Sequence, residues 1–561
     1  MDENDLFVIA AGGSGAKVVE SLIHLCAAGL TPAKIHVLLV DGDAANGNRK
    51  RTIETWNAYK RVQPWPWRVK PKITGASEIQ LFPTHLEIYS LAEQFSSAES
   101  GSLRPLVQED SELHEALGVL LDDQELDMNM QIGFTGRPNL GCLVMNHYLS
   151  RHLRSHDRAR LFIQALEDSA RKSVRSAPRV VVIGSVFGGT GASLLPVARS
   201  CVKSVFKEPD ANRQPRNDLY ERMLWGKIML LPYFRPQGGV NLGMVNPARH
   251  FVDTSGALWY YGLSQSDSEP TYLVGSDSPH KRRVIAVGGA MGQNNPPVYH
   301  ELLTALAILD FYAKPEIEGK HSVRHFSEAA LPGTLPESNT LINLPGPTGV
   351  GQEVVRTQLA RLLHLAAFSI AWRVAPVPEF HKGLFQYAKE SKITGWDRSV
   401  HDSLSGDRES LCEPSQHILE YFARLLLWGK TVLSGEDFNS SGLDYNSNAG
   451  QYASLHNTLC FVDQEEIEVP INGNFPQVLD NIAAKICRLG LVGLVKEDAA
   501  REDRDHRGHG LDLERNILLQ GGQTIKVGLP SRSLESALVA QGFDKAEKVT
   551  KWFAEFQLSP S

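Results

Sequence analysis

Residues 179–206 read RVVVIGSVFGGTGASLLPVARSCVKSVF, and this stretch decides the fold. A run of β-branched residues leads into a glycine-rich turn and then into apolar residues at helical spacing, which predicts a strand, a loop and a helix. The same order opens the chain, where LFVIAA (6–11) and GGSG (12–15) precede the helical segment 16–30. A second apolar strand, KIHVLLVDGD (34–43), follows it. Repeated strand–loop–helix units predict an α/β fold with a Rossmann-like parallel sheet.

The composition limits the classes of protein to consider. The chain has 561 residues, of which 42% are hydrophobic and 22% are charged, so there is ample material for a core and no sign of disorder. The 57 Lys and Arg against 64 Asp and Glu give a net charge of −7. This balance argues against a protein that mainly coats nucleic acid or an anionic membrane, and no clear nucleic-acid site stands out.

Cysteine spacing and hydropathy indicate the compartment. The six cysteines are far apart and form no CxxC pair, which argues against a zinc ribbon or a disulfide framework. The acidic start, MDENDL, does not resemble a signal peptide. Apolar stretches such as 362–372 are too short to cross a bilayer. We therefore expect a cytoplasmic protein without a membrane span.

Both glycine loops have the chemistry of phosphate binding. Glycine lets the backbone turn sharply and approach phosphate oxygens, and the exposed amides at a helix N-terminus attract the anion. GGSG is not a Walker A loop, because valine rather than Ser or Thr follows Lys17, and Val18 stands where GxGxxG has its third glycine. In GGTGAS (188–193), Thr190 adds a hydroxyl donor to the ring of amides. We expect the two loops to converge on one edge of the sheet.

With these loops, the sequence resembles the tubulin/FtsZ superfamily, and most of all its divergent bacterial tubulin-like members. The hallmark of that superfamily is a GGTGSG or GGGTGTG loop between a strand and a helix, after a first glycine loop. GFTGRPNLG (133–141) is similar to the GAGANPELG loop that holds the γ-phosphate, with Arg137 in place of Asn. The resemblance covers residues 1–310 and implies GTP and Mg²⁺ as cofactors. The nucleotide-binding residues that it implies are Gly12, Gly13, Ser14, Gly15, Asp41, Asp43, Gly136, Arg137, Pro138, Gly188, Gly189, Thr190, Gly191 and Asp253.

The resemblance also implies roles for three of the acidic residues. Asp41 and Asp43 correspond to the second loop, near the phosphates and the metal, and Asp43 is the implied Mg²⁺ ligand. Asp253, in HFVDTSGAL (250–258), corresponds to the start of the central helix, where an Asn or Asp reads the base. A carboxylate accepts hydrogen bonds from guanine N1–H and N2–H₂ together, whereas adenine offers no such pair of donors.

The position of a catalytic acid is ambiguous. In the superfamily, an acid carried across a polymer contact completes GTP hydrolysis, and the corresponding segment here is GQNNPPVYHELL (292–303). Pro297 falls at the first acid position, and Glu301 is one residue beyond the second. On a helix, one position turns a side chain by about 100°. Glu301 is thus either a catalytic acid that acts in trans or a surface acid, and GTPase activity is left open.

The patterns and the resemblance together divide the chain. We expect a nucleotide-binding domain over 1–245, with an insertion at about 44–130. A central helix is predicted within 246–268 and a second α/β domain over 269–375. The C-terminal region, 376–561, is expected to be helical but has no assigned fold.

The resemblance implies a GTP- and GDP-binding protein that self-associates head-to-tail into a homo-oligomer or filament. Any hydrolysis of GTP is expected to be slow and to depend on assembly. The C-terminal region is a candidate contact for a protein partner. One alternative is a nucleotide-gated scaffold with negligible hydrolysis, which Pro297 favours. Another is a Rossmann-type dinucleotide-binding enzyme, favoured by the strand–GGSG–helix opening and by Asp41 at the end of the second strand. This last alternative leaves GRPNLG and GGTGAS unexplained.

Overall fold

The fold was analysed in a computed structural model of the chain. It describes residues 5–43, 46–64, 68–69, 79–91, 102, 104, 121–127, 134, 138–155, 157–172, 177–209, 216–236, 250–264, 269–275, 284–286, 295, 297–313 and 323–327, and scattered positions between 354 and 432. The described strands are β1 Leu6–Ala11, β2 Lys34–Val40, β3 Arg68–Val69, β4 Ile79–Gln80, β5 His85–Ser90, β6 Arg179–Ser185, β7 Leu224–Leu230, β8 Phe234–Pro236, β9 Thr271–Gly275, β10 Val284–Ala286 and β11 Val323–Ser327. The described helices are α1 Gly12–Ala27, α2 Gly47–Val62, α3 Asp123–Leu126, α4 Pro138–Ser155, α5 Asp157–Lys172, α6 Gly189–Phe206, α7 Asn217–Glu221, α8 His250–Ser264 and α9 Tyr299–Ala313.

A parallel sheet of seven strands forms the centre of the protein, in the order β11-β9-β7-β6-β1-β2-β5. Every pair of neighbouring strands in it is parallel. Strands β1 and β6 are buried along their whole length, because a parallel sheet is covered by helices on both faces. The predicted α/β fold with a Rossmann-like parallel sheet is confirmed at this level.

The order of the strands reverses between β1 and β6. From β1 the chain builds outward through β2 to β5, and it then returns to the other side of β1 and continues through β6, β7, β9 and β11. The carboxyl ends of two adjacent strands whose connections run in opposite directions leave a crevice between them, where open α/β sheets bind ligands. Both predicted glycine loops begin at this point of the sheet.

The region predicted to be an insertion, 44–130, belongs in part to the central sheet. Helix α2 packs against α1, and β5 pairs with β2 as the edge strand. The sequence of β5, HLEIYS, alternates exposed or half-buried positions with buried ones, as a strand at the edge of a sheet does. This alternation is weaker as a sequence signal than the apolar runs of β1 and β2, and the sequence therefore does not predict β5.

Two described strands from the region predicted to be a second α/β domain, 269–375, belong to the central sheet, and the boundary at 268/269 stays a prediction. Strands β9 and β11, which were expected to begin a second α/β domain, extend the same sheet beyond β7. Helix α9 packs against α1 and β7. Helix α8 lies within the predicted central helix and packs on α6, where the Tyr261 hydroxyl donates to the Ala192 carbonyl at 2.7 Å. Among the described helices, none is both long and apolar enough to cross a membrane.

Helical positions of the C-terminal region cover α1 and α2. The Trp428 indole N–H donates to Ser21 Oγ at 3.0 Å, and the Tyr421 hydroxyl lies 2.8 Å from His24 Nδ1. Glu420 pairs with Arg61 at the rim of this contact, at 2.6 Å. The contact buries His24 completely, and burial lowers the pKa of its imidazole to about 3, so that the ring stays neutral.

The burial of His24 predicts a loss of stability in acid. Its pKa falls from 6.5 to about 3 on folding, so between these values the unfolded chain binds a proton that the native protein excludes. The contribution of His24 to the free energy of unfolding should therefore fall as the pH drops from about 6.5 towards 3, by up to about 1.4 kcal/mol per pH unit. Urea titrations at pH 7, 6, 5 and 4 measure this slope. His24→Phe keeps a ring between Tyr421 and Trp428, and its slope should be smaller than that of the wild type by this contribution.

Candidate functional site

Two helix N-termini face the crevice between β1 and β6. Helix α1 begins at Gly12, directly after β1, and α6 begins at Gly189, four residues after β6 ends at Ser185. The residues before them, Ala11 and Gly188, provide no side-chain cap, and neither first turn contains an acid. The first backbone N–H groups of both helices and the positive ends of both helix dipoles therefore converge on one place. This is the arrangement that binds phosphate and other anions.

The two glycine loops touch each other and leave no room for side chains. Gly12 has a φ of +67°, which only glycine adopts without strain, and a Cβ placed there would lie 3.1 Å from Thr190 Cβ. A Cβ at Gly191 would lie 2.6 Å from both the backbone nitrogen and the backbone oxygen of Ser185. The loops 12–15 and 188–191, which the sequence predicted to converge, do so.

Asp41 extends from the end of β2 towards the second glycine loop. Its Oδ1 accepts a hydrogen bond from Thr190 Oγ1 at 3.5 Å and one from the Asp43 N–H at 3.1 Å. The carboxyl is 1% exposed, and its Oδ2 has no hydrogen-bond partner within the described part of the chain. Burial, with a smaller contribution from the charge of Asp43, raises the pKa of Asp41 to about 7. The contacts of the described residues explain neither the burial of the Asp41 carboxyl nor the absence of a partner for its Oδ2.

Two asparagines that the sequence analysis overlooked complete this side of the crevice. Asn46 Oδ1 accepts from the N–H groups of Asn48 at 3.0 Å and Arg49 at 3.4 Å, and so begins α2. The side-chain nitrogens of Asn46 and Asn48 would lie 2.8 and 2.9 Å from a Cβ at Gly13. Asn48 is 1% exposed, and neither atom of its amide has a partner among the described residues. The N-cap signal of an asparagine shortly after a buried strand would have pointed to Asn46.

The described end of the third predicted loop, 138–141, lies beside the second glycine loop. The Ser193 hydroxyl donates to the Pro138 carbonyl at 3.2 Å, and a Cβ on Gly141 would overlap Ser193. The first turn of α4 therefore packs directly on the first turn of α6. Gly136 and Arg137 lie outside the described residues. Asp253 lies in the first turn of α8, but its side chain is outside the described part of the structure.

Glu301, the predicted catalytic acid, is 0% exposed and lies inside its own subunit. Its Oε1 lies 2.5 Å from Lys17 Nζ and accepts a hydrogen bond from the Tyr233 hydroxyl, while its Oε2 accepts from the Val298 N–H at 2.7 Å. Of the two expectations for Glu301, the surface acid is wrong because the side chain is buried, and the role of a catalytic acid in trans stays a prediction. The physical reason is that α9 packs on α1, where the ammonium group of Lys17 neutralises the carboxylate.

A divalent cation fits the acidic side of the crevice. The described residues contain no group of three or more His, Cys, Asp or Glu side chains that would hold a metal by themselves. Mg²⁺, however, usually takes only one or two carboxylates and completes its octahedron with phosphate oxygens and water. The open Oδ2 of Asp41, with Asp43 two residues away, meets that requirement.

Fold and site together define an α/β protein with a Rossmann-like parallel sheet and an anion-binding geometry where the strand order reverses. Comparisons with models of protein families and with curated proteins found no match. Assignment of the protein to a more specific class therefore depends on the sequences and positions of its own glycine loops.

Proposed function

We propose that this chain is a tubulin-like GTP-binding protein that self-associates head-to-tail. The observation that carries the proposal is the meeting of two uncapped helix N-termini, at Gly12 and Gly189, beside buried polar atoms of Asp41 and Asn48 that have no partner among the described residues. Burying such atoms unpaired is unfavourable, so their presence in a crevice supports a ligand that pairs with them. A nucleoside triphosphate with its metal ion supplies both the negative charge and the cation.

Different residues of the crevice would bind the phosphates and the metal ion of the nucleotide. The N–H groups at the starts of α1 and α6 and the Thr190 hydroxyl would donate to phosphate oxygens. The Asn48 amide, next to Gly13, would donate to the same group. Asp41 and Asp43 would hold Mg²⁺, which neutralises phosphate charge when bound. Guanine preference follows only from the sequence resemblance, through Asp253.

The contact between Asp41 and Thr190 favours this proposal over a dinucleotide enzyme. In a Rossmann enzyme, the acid at the end of the second strand binds the ribose, and a single glycine loop binds the pyrophosphate. Here the acid reaches across the end of β1 to the loop after β6. An acid in that position lies among the phosphate donors, where a metal ligand belongs.

A second candidate function is a nucleotide-gated scaffold with negligible hydrolysis. The burial of Glu301 against Lys17 favours it, because this removes the one acid that the sequence offered for orienting a water molecule. The proposal of GTP binding and assembly therefore does not require that the protein hydrolyses GTP.

Titration of the purified chain with GTP and ATP in Mg²⁺ tests the binding proposal. We expect GTP to bind more tightly than ATP, because a carboxylate can pair with two donors of guanine and with no such pair on adenine. Asp253→Ala should weaken GTP binding by about 1–3 kcal/mol, the usual contribution of hydrogen bonds to charged groups. Equal affinities for the two nucleotides, or no binding of either, would contradict the proposal.

Assembly and turnover are tested together. Head-to-tail contacts are heterologous and can propagate, so light scattering should rise with protein concentration in the presence of GTP, and negative-stain microscopy should show filaments. Phosphate release, if it is detected, should rise more than linearly with protein concentration. Assembly without phosphate release would favour the scaffold, whereas a monodisperse monomer in every nucleotide condition would refute self-association.

A further inference from the structure

A proline lies inside the helix that carries the second glycine loop. Pro196 is an interior residue of α6, which runs from Gly189 to Phe206. Proline has no backbone N–H, so it cannot make the bond that an interior residue of a helix donates to the carbonyl four residues before it. The carbonyl that loses this donor belongs to Ala192, at the end of the first turn of the helix. One acceptor is therefore left without its helix donor in the turn that is proposed to bind phosphate.

The Tyr261 hydroxyl of α8 takes the place of the missing donor. It donates to the Ala192 carbonyl at 2.7 Å, the usual length of a hydrogen bond between a hydroxyl and an oxygen. Ala192 is 1% exposed and Tyr261 is 3% exposed, so the carbonyl depends on a donor from the protein rather than on bulk water. A buried acceptor that loses its donor destabilises the conformation in which it is buried. A side chain far away in sequence thus completes the hydrogen bonding of α6.

A second helix, α4, contacts the start of α6 as well. The Ser193 hydroxyl lies within donating distance of two carbonyls, that of Gly189 at 2.5 Å and that of Pro138 at 3.2 Å. The Cys142 thiol, on α4, lies 3.4 Å from the Ser193 carbonyl. The conformation at the start of α6 therefore depends on side chains from α4 and α8 as well as on the backbone bonds of the helix itself.

The direction of the Ala192 carbonyl is linked to the direction of the amides that face the crevice. Peptide groups are planar, so a turn that rotates to give this carbonyl another donor also tilts the N–H groups of Gly189, Thr190 and Gly191. Phosphate binding at a helix N-terminus requires that these groups point at the ligand. Without the Tyr261 hydroxyl, a smaller fraction of molecules would have that alignment, and the apparent affinity for phosphate would fall by the same fraction.

We propose that Tyr261 is a positioning residue that replaces the helix bond removed by Pro196 and so aligns the first turn of α6 for phosphate. The inference deepens the proposed function, on which it rests for the nature of the ligand. It makes the affinity of the second glycine loop depend on the docking of α8. It requires only a phosphate group at the turn, whichever base the nucleotide carries.

Binding titrations in a double-mutant cycle test the role of Tyr261. Tyr261→Phe removes only the hydroxyl and should weaken the binding of Mg²⁺–GTP by a factor of about 5 or more, the lower end of the cost of leaving a buried acceptor without a donor. Pro196→Ala restores an N–H that can donate to the Ala192 carbonyl, and alanine suits the interior of a helix. In the Pro196→Ala background, Tyr261→Phe should therefore change the affinity by no more than about a factor of 2, the usual scatter of such cycles.

Tyr272→Phe is the matched control. The Tyr272 hydroxyl is also buried and also donates to an oxygen of a helix, Asp310 Oδ2 at 2.8 Å, but this helix is α9, which begins with no glycine loop. Tyr272→Phe should bind GTP as the wild type does. Circular dichroism and urea denaturation check that each variant is folded. A general loss of packing on removal of a buried hydroxyl would not be repaired by Pro196→Ala, so the rescue separates positioning of the turn from a merely structural role.

Inorganic triphosphate, as a second probe, separates failure of this inference from failure of the proposed function. Triphosphate binding that follows the same cycle, without binding of GTP, would refute the nucleotide proposal and support the role of Tyr261. Unchanged affinity in Tyr261→Phe, or a loss of equal size with Pro196 and with alanine at that position, would overturn the role of Tyr261 and leave nucleotide binding standing. If neither compound binds to the wild-type chain, both proposals fail.

Discussion

Replacement of Glu301 by alanine is expected to lower the free energy of unfolding by about 3–5 kcal/mol, the usual cost of leaving one buried charge without its partner. Lys17 is 5% exposed and its ammonium group lies 2.5 Å from Glu301 Oε1, so its charge has no access to bulk water when the carboxylate is removed. Urea denaturation at neutral pH measures the change. Lys60→Ala serves as the control, because Lys60 pairs with Glu87 at 3.0 Å on the exposed surface, where such pairs contribute about 1 kcal/mol or less.

Removal of both charges should restore much of that loss. A buried ion pair replaced by apolar groups of similar volume is often no less stable than the original, since both charges then avoid desolvation. The double variant Lys17→Met with Glu301→Leu should therefore be more stable than Glu301→Ala alone. A Glu301→Ala variant that is as stable as the wild type would show that the carboxylate is not buried as described.

Gly191→Ala is expected to lower the affinity for Mg²⁺–GTP by a factor of about 100 or more. A Cβ at this position would lie 2.6 Å from the Ser185 backbone, so the start of α6 must move. Its N–H groups would then no longer point at the phosphate oxygens. Loss of two hydrogen bonds to a charged group, each contributing about 1.5–3 kcal/mol, corresponds to at least this factor. Isothermal titration of the folded variant, checked by circular dichroism, measures it.

Gly256→Ala is the matched control for that substitution. Gly256 also lies in a helix, α8, but a Cβ there would meet nothing within 4 Å. We expect GTP affinity to be unchanged and stability to rise slightly, by up to about 1 kcal/mol, because alanine is the better helix former. If Gly191→Ala bound GTP as the wild type does, the phosphates would not lie at the start of α6.

The strands and helices around the crevice could be predicted because their signals are local. β1, β2 and β6 are apolar runs, and a glycine loop follows β1 and β6, so their types and ends follow from residues within a few positions. The parallel sheet follows from the same pattern. The number of strands in the sheet does not follow from it, because the pairing of β5 with β2 and of β11 with β9 joins strands that lie far apart in sequence.

The candidate site was predictable where backbone conformation sets the chemistry. Gly12 and Gly191 are required by a positive φ and by a close approach of backbone, and the sequence shows them directly. Asp41 was predictable because it directly follows a buried strand. Asn48 was not predicted, because its burial cannot be inferred from the residues that neighbour it in sequence.

By itself, the sequence determined the α/β class, the positions of the two glycine loops and their convergence at the carboxyl ends of parallel strands. Only the tertiary structure decided the environment of Glu301, which is buried and paired with Lys17. The reason is physical: glycine, periodicity and strand ends act over a few residues, whereas the burial and charge of a side chain depend on which distant helix packs against it. The ion pair exists because α9 lies on α1, and no local pattern in either helix specifies that contact.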